Sequence, residues 1–282
     1  TVYEEKNRSL DNDYWKTYEA MYSSVFKKHP YGTQTVIGTI DHLKNPSITN
    51  IKTYFNTYYR PNNVAICMSG DIDYDKTIAL IDNYFGDWQI NEQLPVWNKV
   101  EEEPIESPRI TEVFGPDAEW VNLGFRFNGA SSEDAGLLRL TDMILSNSQA
   151  GLIDLNLKQQ QKVLEPYSFV NSMNDYTIHT FSAKSREGQT LEQVTDLLLS
   201  QIDLLKRGEF EDWLVDAVIN DLKKNKIQQS EQNWSRSDDL VMAFTNNMTW
   251  KDYVAGVESL KKYTKADIVK FANEHYGNNY AV

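Results

Sequence analysis

The chain of 282 residues has a single cysteine, Cys67, which excludes an internal disulfide and any cysteine-based zinc cage. In "VAICMSGD" no base or cation stands beside that thiol to activate it, so a buried structural role is expected. No run approaches the roughly 20 apolar residues of a membrane-spanning helix, which leaves no candidate span. Positive charge is scarce: 28 Lys and Arg stand against 41 Asp and Glu, a net charge of −13, and a nucleic-acid partner is disfavoured by phosphate repulsion. Such a surface is either simply solvated or attractive to basic peptides, and composition leaves both open. The four histidines, His29, His42, His179 and His275, never fall three or four apart, so no two share a helical face as a metal-binding pair.

What is present is a foldable chain. Its apolar fraction of 40% and aromatic fraction of 12% suit a globular protein, and its length suits about two domains. From Val2 to Phe26 the apolar residues Tyr14, Trp15, Tyr18, Met21, Tyr22, Val25 and Phe26 recur at three- and four-residue steps, the period of an amphipathic helix. The opening "TVYEEKN" lies inside that pattern, so the chain is expected to begin within an element of a longer protein. "SITNIKTYFNTYY" predicts a second helix with Ser47 or Thr49 as cap, "VAICMSGDID" a core strand, and "DYDKTIALIDNYFGDW" a helix closed near Gly86. "KHPYG" places His29 in a surface loop, and Arg60 before Pro61 serves a turn.

From Gln89 to Ser107 the sequence has two prolines, five glutamates and no sustained period, which predicts an exposed linker at 89–107. Beyond it "RITEVF", "WVNLGFRFNG", "YSFVNSMN" and "YTIHTFSAK" predict strands, the last carrying His179 as a packed or sheet-surface residue. "SEDAGLLRLTDMILSN", "AGLIDLNLKQQ", Thr190–Lys206 and Phe210–Gln229 predict helices. Grouped strands and grouped helices point to an α+β fold with antiparallel sheet. A repeat sharpens this: Ile51, Tyr54, Tyr59 and Asn62 match Ile268, Phe271, Tyr276 and Asn279, all 217 positions apart (268 less 51). Two copies of one domain are expected, an incomplete one over 1–88 and a second over 108–282 whose last strand is cut at Val282.

"YYRPNNVAICMSGDID", "IDNYFGDW", "AGLIDLNL", "EGQTLEQV" and "KRGEF" together resemble the M16 zinc metallopeptidases, the family of insulin-degrading enzyme, pitrilysin and mitochondrial processing peptidase. The resemblance runs over nearly the whole chain. It implies repeated α+β domains that form a closed chamber around peptide substrates, working with the remaining domains of a parent chain or with a partner subunit. It also implies zinc held by an inverted His-x-x-Glu-His helix and by a glutamate downstream, in a motif like "VYEEKN", which puts one zinc ligand on Glu5 with Glu4 beside it. Read without the resemblance, two acids in a first helical turn only complement the helix dipole. The His-x-x-Glu-His segment is absent from these residues, so no catalytic residue is assigned, no zinc is expected bound to this chain alone, and the chain alone is expected to be inactive. Relatives suggest an extracytoplasmic, periplasmic location. The alternative is a non-catalytic M16-like domain that binds peptides or serves assembly.

Overall fold

The computed structural model describes residues 1–282. The chain enters through α1 (Val2–Leu10) and α2 (Asp13–Val25), passes the short α3 (Pro30–Thr33) and α4 (Ile40–Lys44), and reaches α5 (Ile48–Tyr58) and α6 (Tyr74–Phe85). β1 (Trp120–Asn128), α7 (Ala135–Leu145), β2 (Leu164–Ser172) and β3 (Tyr176–Lys184) follow, then α8 (Leu191–Lys206), α9 (Trp213–Ser230), α10 (Asn233–Thr245), α11 (Trp250–Ser259), α12 (Lys265–His275) and β4 (Tyr280–Ala281). The four strands form one antiparallel sheet in the order β2-β3-β1-β4, which makes the fold α+β.

β3 is the middle of this arrangement. It pairs with β1 from Tyr176↔Asn128 to Lys184↔Trp120, and every residue but the last is buried. A strand covered on both faces loses the usual inside–outside alternation, and here one face meets helices and the other meets α2. Leu123, Phe125, Phe181 and Ala183 pack with α7, α8 and α12 in the main core, while Ile178 and Tyr176 pack with Met21, Tyr22, Val25 and Phe26 of α2. The helices that close the main core start on local signals. Thr190 and Gln193 form a reciprocal cap on α8, and Thr264 and Asp267 do so on α12.

Several expectations are corrected. The first helical pattern is two helices: the Asn12 side chain accepts the Trp15 N–H and opens a new helix at Asp13. Val64–Asp73 is extended at its start but forms no strand, because no strand lies beside it to complete a ladder. Cys67 is accordingly half-buried rather than buried. "RITEVF" is reduced to a parallel bridge between Arg109 and Ala281, with the Thr111 N–H donating to the Val282 carbonyl at 2.8 Å. "AGLIDLNLKQQ" gives a single π-helical segment, Asp154–Lys158, because the buried Asp154 carboxylate turns back to accept the N–H groups of Asn147 and Ser148, both at 2.8 Å. The segment 89–107 is irregular but only partly exposed: Ile105 is buried.

The repeat is visible in one helix and its cap. α5 and α12 both have 11 residues, start from Ser47 and Thr264, and end on Tyr59 (φ −85°, ψ 77°) and Tyr276 (φ −104°, ψ 85°), each pair at the same offset. Their surroundings differ. Tyr276 is 1% exposed within the main core, whereas Tyr59 is 51% exposed, and no residue from Pro30 to Pro104 is buried.

This contrast sets a test with one residue type in two copies of one turn. Tyr276→Ala opens a cavity beneath the sheet and is expected to cost about 3–5 kcal/mol. Tyr59→Ala removes a solvated ring and is expected to cost under about 0.5 kcal/mol. Urea denaturation of the two variants measures both, and equal losses would contradict the packing described.

Candidate functional site

Glu4 and Glu5 lie in the first turn of α1, where the helix dipole favours acids, and both are exposed. Neither carboxylate takes part in an ion pair or a side-chain hydrogen bond. The residue that docks α1 is its neighbour Lys6, which is buried and donates to Glu19 of α2 at 2.6 Å. The sequence reading passed over Lys6, since a lysine among apolar helix positions is ordinarily solvent-facing. No grouping of three or more His, Cys, Asp or Glu side chains in the chain could hold a metal ion. Zinc sites use three or four protein ligands, so the residues present do not by themselves make one.

The most elaborate polar arrangement joins the segment before β1 to α2, α3 and the sheet. His29, expected in a surface loop, is in fact 1% exposed. Its Nδ1 accepts the Tyr31 N–H at 3.1 Å as the cap of α3, which leaves the ring proton on Nε2 to donate to Asp175 at 3.0 Å. The Trp97 indole N–H donates to the same carboxylate oxygen at 2.6 Å. Glu102 then accepts the backbone N–H groups of Lys28 and His29 at 2.6 and 2.7 Å and faces Arg126 at 3.4 Å. Arg126 completes the clamp by donating to the carbonyls of Val25 and Glu103. Burial works to raise the Glu102 carboxyl, but the backbone N–H groups and the Arg126 cation outweigh it and hold the group below the ordinary glutamate value.

A second polar network lies inside the main core. His179 on β3 is fully buried, with Nδ1 at 2.6 Å from the Tyr276 hydroxyl and Nε2 at 3.1 Å from Asp142 of α7. Ser168 on β2 donates to the same Asp142 oxygen at 2.6 Å. Burial, reinforced by the Asp142 charge, pushes the Tyr276 phenol well above its usual value. It therefore keeps its proton and donates to Nδ1, while Nε2–H donates to Asp142. Acid, imidazole and hydroxyl are lined up as in a nucleophilic relay, but the histidine and tyrosine are shut off from solvent, so the network serves as a polar pin between sheet and helices. The expectation that His179 is packed holds. Its partners lie 37 and 97 positions away and carry no local signal.

The family profile described as Peptidase M16 inactive domain matches residues 47–222. Among curated proteins, the chain is 22% identical over 287 residues to Zinc protease PqqE of Helicobacter pylori, an alignment covering 98% of this chain and 63% of that protein. The chain thus spans less than two thirds of that relative's length. Among solved structures, a protease from Helicobacter pylori superposes with a TM-score of 0.89 at 19% identity, over 99% of this chain and 69% of that one. The periplasmic protease PqqL from Escherichia coli superposes with a TM-score of 0.74 at 16% identity, over 99% of this chain and 33% of that one. At such identities these superpositions establish a shared fold.

The clamp makes a pH-dependent prediction. A carboxyl depressed in the folded state contributes stability above its ordinary value of 4.5 and loses that contribution as the pH falls through the folded value. Glu102→Gln is expected to cost about 1.5–3 kcal/mol at pH 7, the worth of hydrogen bonds to a charged group. The gap from the unaltered protein should narrow as the pH falls below 4.5 and through the depressed folded value. Urea midpoints across that range measure it; a gap that stays constant with pH would show that the carboxylate charge contributes nothing.

Proposed function

The chain belongs to the peptidase M16 family through its inactive domain, and from that premise we propose that it forms the non-catalytic wall of a zinc-dependent M16 metallopeptidase that degrades or processes peptides within a closed chamber. The matched profile over residues 47–222, together with a superposition covering 99% of the chain on a Helicobacter pylori protease, is the observation that carries this reading. In it, residues 1–88 are the end of one M16-like domain, 89–107 the connection and 108–282 a second domain. The repeated helix and cap of α5 and α12 support that division. Peptides are the substrates, and other M16 domains, in the same polypeptide or in a partner subunit, complete the enclosure. The periplasmic protease of Escherichia coli with this fold supports an extracytoplasmic location.

Glu5 is the one residue of this chain for which we propose a zinc contact. Its support is the match of "VYEEKN" to the family motif and a carboxylate with no protein partner. A single carboxylate does not hold zinc tightly, so further ligands must come from residues outside this sequence, and no catalytic step is assigned to the chain itself. The description of the matched domain as inactive favours a second reading, a peptide-binding or assembly domain without any metal.

Glu5→Gln in the whole protein separates the two readings, because it preserves shape while removing the ligand charge. Zinc content and peptide hydrolysis are expected to fall together, about tenfold or more, with the circular dichroism spectrum unchanged. Metal analysis and a fluorogenic peptide assay supply the numbers. Unchanged zinc content and rate would leave Glu5 as a helix-end acid, whereas neither zinc nor hydrolysis in the unaltered whole protein would put the second reading in force.

A further inference from the structure

The chain leaves the sheet-bearing body after α3 and returns to it at Trp97, with α4, α5 and α6 in the excursion between. One carboxylate meets that excursion at both ends. Asp175, in the turn between β2 and β3, accepts the His29 Nε2–H at 3.0 Å and the Trp97 indole N–H at 2.6 Å on the same oxygen. His29 is the cap of α3 and Trp97 is the point of return, so departure and re-entry are fastened to one turn of the sheet. Away from this joint the excursion meets its surroundings nearer the surface, through contacts that include the Lys44 ammonium 5.5 Å from the Tyr3 ring and an Arg236 donation to Ser69 at 2.9 Å.

The joint accommodates one protonation state of His29. Nδ1 accepts the Tyr31 N–H at 3.1 Å and so carries no proton, while Nε2 directs the single ring proton to Asp175. A second proton would make Nδ1 a donor facing a donor, and the Tyr31 amide would lose its acceptor. The charges around the ring favour that proton. Asp175 has no lysine or arginine partner, so an imidazolium would stand opposite an unbalanced carboxylate. The other charges nearby are already matched: Glu102, which accepts the His29 backbone N–H at 2.7 Å, by Arg126 at 3.4 Å, Glu103 by Lys28 at 2.6 Å, and Glu101 by Lys99 at 3.4 Å. The nearest phenol rings are those of Tyr31 and Tyr176, with centroids 4.1 and 5.3 Å away, and burial pushes the Tyr31 phenol above its usual value.

We propose that His29 and Asp175 form an acid-sensitive joint between the two copies: uptake of a second proton by His29 expels the Tyr31 N–H, unfastens α3 and frees the excursion to turn against the sheet. Histidine is the side chain that ordinarily gains charge between about pH 8 and pH 5, which sets the range over which such a device works. The Trp97 bond to Asp175 needs no change, so the point of return stays fixed while the point of departure loosens. The result is a pivot rather than a detachment. His179 lacks this property: its Nδ1 accepts from the Tyr276 hydroxyl, which can turn round to accept in its place, whereas the Tyr31 amide can only donate. The proposal concerns a conformational response and stands apart from the peptidase reading, since its test measures no hydrolysis.

Nitrogen-15 labelling of histidine reads the protonation state of the His29 ring by NMR, with His29→Asn identifying its signal among the four histidines. Between about pH 8 and pH 5 the ring is expected to gain a proton. Over the same range, hydrogen-exchange protection at Tyr31–Gln34, referred to the intrinsic rate at each pH, is expected to fall about threefold to thirtyfold, the range an N-cap contributes. His29→Asn keeps a capping acceptor that does not titrate, so protection there should not vary with pH. His29→Gln keeps a donor for Asp175 but leaves Tyr31 without its acceptor, so protection should be low at every pH. A His29 ring that stays neutral down to about pH 5 would overturn the proposal. So would proton uptake that leaves Tyr31–Gln34 as protected as before, or the same pH-dependent loss in His29→Asn.

Discussion

The ladder between β1 and β3 runs through nine residues on each strand, and β3 is shut off from water on both faces. A strand in that position can exist only if two separate layers cover it, because any uncovered face would return its apolar side chains to solvent. One layer is the group α7, α8 and α12, which is contiguous with the sheet in sequence; the other is α2, roughly a hundred positions earlier. The sheet thus obliges the beginning of the chain to return across its back. The clamp of Glu102 and Arg126 and the seat of His29 both exist because α2 lies there.

The charged and ionisable groups at the centre of this interior have partners, although the Thr141 hydroxyl in α7 has none. Glu102 is held by two backbone N–H groups and a guanidinium, and His179 by a hydroxyl and a carboxylate. Each would be expensive alone, since an unpaired buried charge or ring nitrogen forfeits its hydration. Paired, they fix which elements may approach one another. Apolar contacts would tolerate a shift of α2 along the sheet, whereas a carboxylate bonded to two particular amides does not. That geometric precision suits a proposed enclosure whose walls must keep a fixed spacing around a peptide.

Residues 48–97 show the opposite condition. Ile51, Tyr54, Phe55, Tyr74, Ile78 and Tyr84 expose half or more of their surface, although they lie on well-formed helices. Contiguous apolar surface of this kind ordinarily meets another protein surface. In the proposed assembly it is the part that further M16 domains would cover.

Helices were the most legible part of the sequence, because their signals are local. Ser47, one of the two caps offered by the sequence, and Thr190 mark starts that the structure bears out, and the offset linking Tyr59 to Tyr276 reappears as two helices of equal length. The three long strands were legible from their apolar runs, and the M16 resemblance from motifs at fixed spacing, which the family match bears out. What the sequence could not decide was whether a given apolar run would find a neighbour. "VAICMSGDID" and "YTIHTFSAK" look equally strand-like, yet only the second became one, since strand pairing depends on a partner that only the tertiary structure supplies. The burial of His29 and the partners of His179 were hidden for the same reason. Helical order is written within a few neighbouring residues, whereas sheet order, burial and sites belong to contacts between residues far apart in the chain.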